Sequence, residues 1–416
     1  MKNSLIIIGS GASGLSLACL LSELDLKITI IERAKLEQLE NPPYDGRETA
    51  LTHPSKNLLE KIGVWEKIDK KSISKIEKAQ VFNLDDSQIL DFNNDSNKDA
   101  LGYLVSNSEI KRALFEVVKT LPNVEIITET EVEDIKTDNE KARVFLKDLQ
   151  QNKTQNDENL DSQSRVLESA LVLAADSRFS KSRYKMGISC DIHDFAKNMI
   201  VCKMAHERTH QNIALEYFFD DRVMAVLPLQ GDFSSVVITV PAKEAEELVA
   251  LSEEEFNKNI ENYLGKKLGK FMLKSQRFSY PLISIYADKF IATRFALIGD
   301  AAVGMHPVTA HGYNLGLLGQ NSLSEEIKKA LKSGADIGSP QLLEKYNLNH
   351  IKETKLMYRG TNMIVDLFTN NSKPAKLLRK FMIKTANSKF LPFKSIITNG
   401  LEGKSRFEGL FSLLKK

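Results

Sequence analysis

The sequence predicts an α/β chain (α+β overall): a parallel nucleotide-binding sheet, an inserted and mostly antiparallel sheet, and a helical C-terminus. Three observations carry this reading. Residues 4 to 33 run strand, glycine loop, helix, strand. Two later apolar strands, Ala170–Ala174 and Phe295–Ile298, each lead into a loop with an aspartate, Asp176 and Asp300. Between them, from Met199 to about Tyr286, the apolar period changes to two, the signature of strands.

The opening unit is the most informative. Leu5, Ile6, Ile7 and Ile8 are apolar throughout, as a strand covered on both faces must be. Gly9, Gly11 and Gly14 follow in the spacing G-x-G-x-x-G. A helix continues through Leu15, Leu17, Ala18, Leu20 and Leu21, and a second strand, Lys27–Ile31, ends in Glu32. In such a unit Gly9 makes the turn, Gly11 admits a pyrophosphate against the backbone, and Gly14 lets the helix pack on the strand. The helix N-terminus then faces the phosphates, and Glu32 can accept from a ribose hydroxyl. An acid at that position disfavours a 2′-phosphate, so the ligand is FAD or NAD rather than NADP, and the domain is Rossmann-like.

The remaining elements follow in order. The loop from Pro42 to Thr52 carries Arg47, either a phosphate or flavin contact or a solvated loop arginine. A helix runs from Ser55 to Gly63. Residues 76 to 104 alternate like strands about a polar turn at Asp85-Asp86-Ser87. Ser108–Leu121 is a helix, Val124–Ile127 a strand, and Val132–Ile135 with Ala142–Leu146 a hairpin. Asp148–Gln163 is polar enough to be a loop or a short disordered insertion. Strands are expected at Met199–Met204, Leu215–Phe219, Val223–Leu227 and Val236–Val240, and a helix at Glu253–Leu264. Helices Leu315–Leu331 and Gln341–Phe368 come next, with two shorter ones before Lys416. The implied division is a discontinuous nucleotide domain (1–75, 105–185 and 287–330), a substrate domain (76–104 and 186–286) and a C-terminal helical region (331–416).

The stretch Leu297–Gly316 organises the chain. A strand stopped by Gly299-Asp300, small residues Ala301, Ala302 and Gly304, a Pro307 turn and a helix opened by Gly312 place a carboxylate and free N–H groups at a sheet's carboxyl edge. Composition sets wider bounds. A chain of 416 residues exceeds one ordinary core. Cys19, Cys190 and Cys202 share no metal or redox spacing and read as core thiols of a reducing compartment, and no metal site is expected. No apolar run approaches a span of about 20 residues, and Leu5–Ile8 is too short for a signal peptide. A cytoplasmic location, or one peripheral to a membrane surface, is expected. A net charge of +2 singles out no partner, and no nucleic-acid partner is expected.

Three separated motifs agree: Gly9-x-Gly11-x-x-Gly14 with Glu32, Ala175-Asp176-x-Arg178, and Gly299-Asp300 with Pro307, Gly312 and Asn314-Leu315. Together they resemble the single-component FAD-dependent aromatic hydroxylases, whose prototype is 4-hydroxybenzoate hydroxylase. Gly46–Leu51, Leu227-Pro228-Leu229, Tyr280-Pro281-Leu282, Ala296–Ala302 and Asn314–Leu317 look like the ubiquinone-biosynthesis hydroxylases. Val303–Gly312 looks most like the 5-demethoxyubiquinol hydroxylase (UbiM) branch. Three departures stand out: Ser177 where the family has glycine, Val303 where it has histidine, and Ala310-His311-Gly312 where it has Gly-Gln-Gly.

The resemblance implies FAD as cofactor, NADPH or NADH as electron donor and O2 as cosubstrate, with a C4a-hydroperoxyflavin hydroxylating a polyprenyl phenol or quinol on the way to ubiquinone. It also implies a place in a ubiquinone-biosynthesis protein complex. The cofactor set is Gly9, Gly11, Ala12, Gly14, Glu32, Arg33, Arg47, Arg112, Asp176, Asp300, Pro307, Gly312, Asn314 and Leu315. His306 and His311 are the histidines beside that site, as general bases or as hydrogen-bonded loop residues. The substrate is expected on the inserted sheet and the 305–312 loop, with some of Leu215, Tyr217, Val226 and Pro228 facing it. Two alternatives stay open: a flavin-dependent prenyl reductase or epoxidase, and a non-catalytic flavin-binding partner in a membrane-associated complex.

The tail is basic. Eleven lysines and arginines from Lys373 to Lys416 stand against Glu402 and Glu408, and Leu377, Leu378, Phe381 and Met382 fall on helical spacing. Such a run suits an anionic leaflet, each near-surface cation adding about 1 kcal/mol; it would equally pack on the protein's own helices. Truncation after Asn371 is expected to abolish sedimentation with anionic liposomes at low salt while flavin content survives. Failure of the full-length chain to sediment would remove the membrane reading.

Overall fold

The computed structural model describes residues 3–83, 88–93, 99–149, 165–219, 222–265, 267–306 and 312–369. The Asp85–Ser87 turn, nearly all of the polar insertion from residue 148 to 163, Pro307, His311 and the basic tail from Lys373 lie outside the described residues.

Ser4–Ile8 sits inside a six-stranded sheet, flanked by Lys27–Ile31 and Leu171–Ala174, both parallel to it. Val124–Ile127 extends one side and Phe295–Leu297 the other, again parallel, with the short Ile291–Ala292 antiparallel at the edge. This order explains the unbroken apolar runs. Leu5, Ile7, Ile28, Ile30 and the whole of Leu171–Ala174 are almost fully buried because they share one core with helix residues such as Leu15, Leu17 and Leu114 and with Val132, Ile135, Val144 and Leu146 of a small antiparallel sheet. All parallel strands point their carboxyl ends the same way, so the loops after Ile8, Ala174 and Leu297 meet at one edge.

The inserted sheet is larger, nine strands among the described residues. Its centre runs Phe278–Ala287, Cys190–His206, Phe233–Pro241, Val223–Pro228, Ile213–Phe218, each antiparallel to the next. Lys78–Asn83 and Gln88–Asn93 extend it, the former parallel to Ile213–Phe218. At the other end Val303–Gly304 pairs with Phe278–Ala287, so the chain leaving Asp300 is stitched directly into this sheet. Cys190–His206 is far longer than the expected strand at Met199–Met204, and a bulge between Asp194 and Asn198 lets it bend.

One face of this sheet lies under helices Ala242–Ala250 and Glu253–Leu264, the first unexpected from the sequence. Leu215, Tyr217, Met224, Val226 and Ile238 bury themselves there against Leu248, Phe256 and Ile260. That corrects the expectation for the substrate face: Leu215, Tyr217 and Val226 point to the helices and not toward a ligand. Period two states that residues alternate, not which side a helix covers, and here both sides are apolar.

Two smaller sheets complete the fold. Glu48–Leu51, Gly102–Ser106 and Ser74–Ile76 form one. Thr130–Thr137, Ala142–Asp148 and Arg165–Ser169 form the other. Helix Pro340–Thr369 closes the back: Tyr346 donates to the Leu297 carbonyl at 2.8 Å, and the Asn347 side-chain Oδ1 accepts from the Phe290 amide at 3.0 Å.

Phe256 is fully buried between helix and sheet. Phe256→Ala is expected to cost about 3–5 kcal/mol by leaving a cavity. Chemical denaturation should show that loss with flavin stoichiometry unchanged, because the parallel sheet is untouched.

Candidate active site

A cavity of about 490 Å³ lies between the loop edge of the parallel sheet and the uncovered face of the large sheet. Gly11, Ala12 and Ser13 form one wall, with Arg47, Asn107, Lys111, Arg178, Asp300, Gly312 and Tyr313 around them. The opposite wall is the large sheet.

The glycine loop separates internal from external demands. A Cβ on Gly14 would lie 2.0 Å from the Gly9 carbonyl oxygen, and one on Gly9 would lie 2.7 Å from the Ala175 carbonyl oxygen. These two are glycine because protein backbone occupies the space. A Cβ on Gly11 would meet nothing within 4 Å, although Gly11 lines the cavity. Its bareness serves no protein contact and fits a group lying against the backbone. Helix Ala12–Leu21 starts there with no side-chain cap and no acid in its first turn, so its N-terminal amides suit a phosphate. Glu32 closes the unit, accepting from the Ser10 amide at 2.7 Å, the Ser10 hydroxyl at 2.6 Å and the Ala34 amide at 2.9 Å. These residues fit the adenosine and pyrophosphate parts of FAD.

Asp300 reaches the cavity from the short turn Gly299–Ala301. Arg178 fixes it, donating to the Asp300 carboxylate at 3.1 Å and to the Ile283 carbonyl on the large sheet. Arg178 thus ties the two sheets together beside the site. The preceding Ser177 takes the left-handed conformation, φ 75°, that glycine would adopt freely. The turn therefore survives the departure from the family pattern, at a cost of about 1–2 kcal/mol.

Arg47 lies 5.1 Å above the Tyr280 ring and donates to Asp45 at 2.6 Å. Asn107 donates to the same carboxylate at 2.8 Å, so Asp45 organises both cavity-lining groups. Asn314 and Leu315 position the site without lining it. The buried Asn314 amide donates to the Ala50 carbonyl at 2.8 Å and accepts from the Thr52 amide at 3.0 Å, binding the start of helix Gly312–Lys332 to strand Glu48–Leu51. Asp176 caps the short helix Lys181–Lys185, accepting from Ser182 at 2.9 Å and Ser180 at 2.5 Å. Arg112 pairs with Glu109 and Glu116, and Arg33 lies 3.9 Å from Glu131; neither lines the cavity.

His306 lines the cavity, edge-on to Phe195 at 4.7 Å. Burial first, then the nearby Arg178, Lys197 and His193, push its imidazole down to about 3, so it is neutral at physiological pH. Sequence reasoning missed Ser13, Glu48, Asn107, Lys111, Glu216 and Tyr313, all cavity-lining. Burial, with Asp45 adding to it against Lys203, raises the Glu48 carboxyl to about 8, and burial alone does the same for Glu216. Lone acids in apolar strands were the available signal.

The family described as FAD binding domain matches residues 2–355. The chain belongs to that family. Among its relatives, ubiquinone hydroxylase UbiM of Neisseria meningitidis is 42% identical over 408 residues, covering 97% of this chain and 85% of that protein. Ubiquinone hydroxylase UbiL of Rhodospirillum rubrum is 30% identical over 378 residues, covering 91% and 84%. The solved structure of p-nitrophenol 4-monooxygenase PnpA from Pseudomonas putida shares the fold, with a TM-score of 0.74 at 18% identity, over 96% of this chain and 98% of that one. The chain is thus a FAD-dependent monooxygenase. Among the described residues no helix is long and apolar enough to cross a membrane, and no His, Cys, Asp and Glu cluster could hold a metal.

Gly11→Val should leave the apo-protein folded, since its side chain meets open space, yet abolish bound flavin. Asp300→Ala should do likewise. Flavin absorbance against far-UV circular dichroism checks both, and stoichiometric flavin in both variants would overturn the assignment.

Proposed function

We propose that this chain hydroxylates the aromatic ring of a polyprenyl phenol or quinol intermediate of ubiquinone biosynthesis, using O2 and either NADPH or NADH. The single observation that carries this reading is the continuity of the cavity from the glycine loop and Asp300 to a broad apolar sheet wall. The names of the relatives support the substrate class.

Bound FAD would supply the redox and oxygen-transfer chemistry. Everything else falls to the chain. The amides of Ala12 and Ser13 would receive the pyrophosphate, and the carboxylate of Glu32 the ribose hydroxyls. Arg47, Lys111 and Asp300 would set charge and orientation along the cofactor. On the opposite wall Met199, Val201, Phe218, Val223, Ala225, Leu227 and Val237 offer a planar apolar surface for an aromatic ring. They would also exclude water from the ring's side of the cavity, which limits side reactions there. Neutral His306 can accept or donate one hydrogen bond at the cavity's edge without adding charge. Membership of a biosynthetic complex and docking on a membrane surface would bring a bilayer-dissolved substrate to this cavity.

Quinone profiling of a deletion strain tests the reading directly, a hydroxylation-deficient intermediate being the expected accumulation. Product analysis with and without O2 separates hydroxylation from prenyl reduction, and rapid NAD(P)H-dependent flavin reduction separates an enzyme from a passive flavin carrier.

Ala225 sits mid-wall, paired with Glu216 on one side and Val237 on the other. Ala225→Phe should raise KM or the peroxide yield per NAD(P)H about tenfold or more, as pocket misfits of 1–3 kcal/mol do. Unchanged KM and coupling would count against the wall as substrate platform.

A further inference from the structure

We propose that the Glu216 carboxylate meets the hydroxyl of the aromatic substrate and accepts its proton. The inference rests on the phenolic substrate class proposed above and names the group that recognises its oxygen.

Register places Glu216 alone. Across the cavity face the strands align Val201, Val237, Ala225 and Glu216 in one row. The neighbouring row is Met199, Thr239, Val223 and Phe218. Ser235 and Leu227 follow on the other side. Of these cavity-lining wall residues, Glu216 is the one that ionises. Its neighbour in sequence, Tyr217, stacks with Phe82 on the opposite face, so the carboxyl cannot have been placed here to serve the helix-covered core.

Among the described residues the carboxyl has no cation beside it, and no hydrogen bond or ion pair of it is found. The paired strands bring Ala225 and Val81 beside it, neither charged. Lys267 stands over Phe82 and Tyr217 on the far face. The charged and titratable groups that share the cavity among the described residues are Arg47, Glu48, Lys111, Arg178, Asp300, His306 and Tyr313, and none of them contributes to its ionisation. Burial alone raises it to about 8. Glu216 is half-buried, and a carboxyl sheltered without a partner in a ligand cavity is a functional position by the cost of holding it there.

The step balances simply. The phenolic O–H bond breaks, its electron pair stays on the ring oxygen, and a new O–H bond forms on Glu216; no oxidant or reductant is consumed. The resulting phenolate is the more electron-rich ring for oxygen attack. When the ring C–H bond at the hydroxylated carbon breaks, its electron pair restores aromaticity and its proton passes to water, and Glu216 returns its own proton to the ring oxygen. A base that titrates near 8 is far better matched to a phenol than an ordinary carboxylate.

The test uses the full chain loaded with FAD, as wild type, Glu216→Gln and Glu216→Asp, with 2-prenylphenol as probe. Wild-type kcat/KM should rise about tenfold per pH unit and level near pH 8. Glu216→Gln should lose about 100-fold or more at that pH, the usual size of a general-base contribution, and lose the limb. Glu216→Asp should regain part of both.

Melting gives a second reading that needs no substrate. The folded chain holds a proton on Glu216 between the ordinary carboxyl value of 4.5 and about 8, where the unfolded chain does not, so stability falls as pH rises through that window. Glu216→Gln, which cannot ionise, should melt higher than wild type at pH 8 and alike at pH 5. Turnover whose pH limb survives Glu216→Gln overturns this proposal alone. Wild type that neither binds nor hydroxylates any prenyl phenol overturns the substrate reading and this proposal with it.

Discussion

Backbone packed against backbone at the edge of the parallel sheet is the constraint from which the rest follows. Gly14 seats its helix on the Gly9 carbonyl, Gly9 seats its turn on Ala175, and Gly299 seats the Asp300 turn on Ser13, where an added Cβ would lie 2.2 Å from the hydroxyl. Three loops from three non-adjacent segments thereby close to van der Waals contact, the first two backbone on backbone and the third on the Ser13 side chain. The starts of helices Ala12–Leu21 and Gly312–Lys332 converge as a result, and Gly11 and Gly312 are left facing open space. A cofactor site emerges because interior positions are filled to the limit and two positions are left bare.

The polar groups around this edge divide by whom they serve. Asp45, Asp176, Arg178 and Asn314 spend their hydrogen bonds on the protein, fixing Arg47, a helix start, Asp300 and the opening of the long helix. Glu32 and Asp300 keep capacity for a ligand. Glu48 and Glu216 are different again: burial holds both near neutrality of charge at physiological pH. The cavity thus grades from a charged cofactor end to an apolar substrate wall, the gradient expected where a charged cofactor meets a greasy ring.

Two sheets could have met in many ways, and Arg178 with Val303–Gly304 decides how. The guanidinium bridges Asp300 of one sheet to the Ile283 carbonyl of the other, and the strand after Asp300 pairs with Phe278–Ala287. The cofactor edge cannot shift without dragging the substrate wall. That coupling is useful to an enzyme that must hold a ring and a flavin in register while excluding water.

By itself the sequence determined the covalent logic of the nucleotide unit. Gly9, Gly11, Gly14 and Glu32 are spaced by local geometry, strand to turn to helix to strand, and each apolar run announced a strand buried on both faces. Asp300 was legible for the same reason, as a carboxylate ending such a strand. Arg112, by contrast, pairs with Glu109 and Glu116 on its own helix, Arg33 lies by the distant Glu131, and Asp176 turned inward to cap a helix start. Only tertiary structure decided which face of the large sheet a ligand meets. Leu215, Tyr217 and Val226 alternate with Glu216, Phe218, Ala225 and Leu227, and both sets are largely apolar, because helices cover one side and a cavity the other. Alternation records that neighbours point apart; it carries no record of what each side will touch.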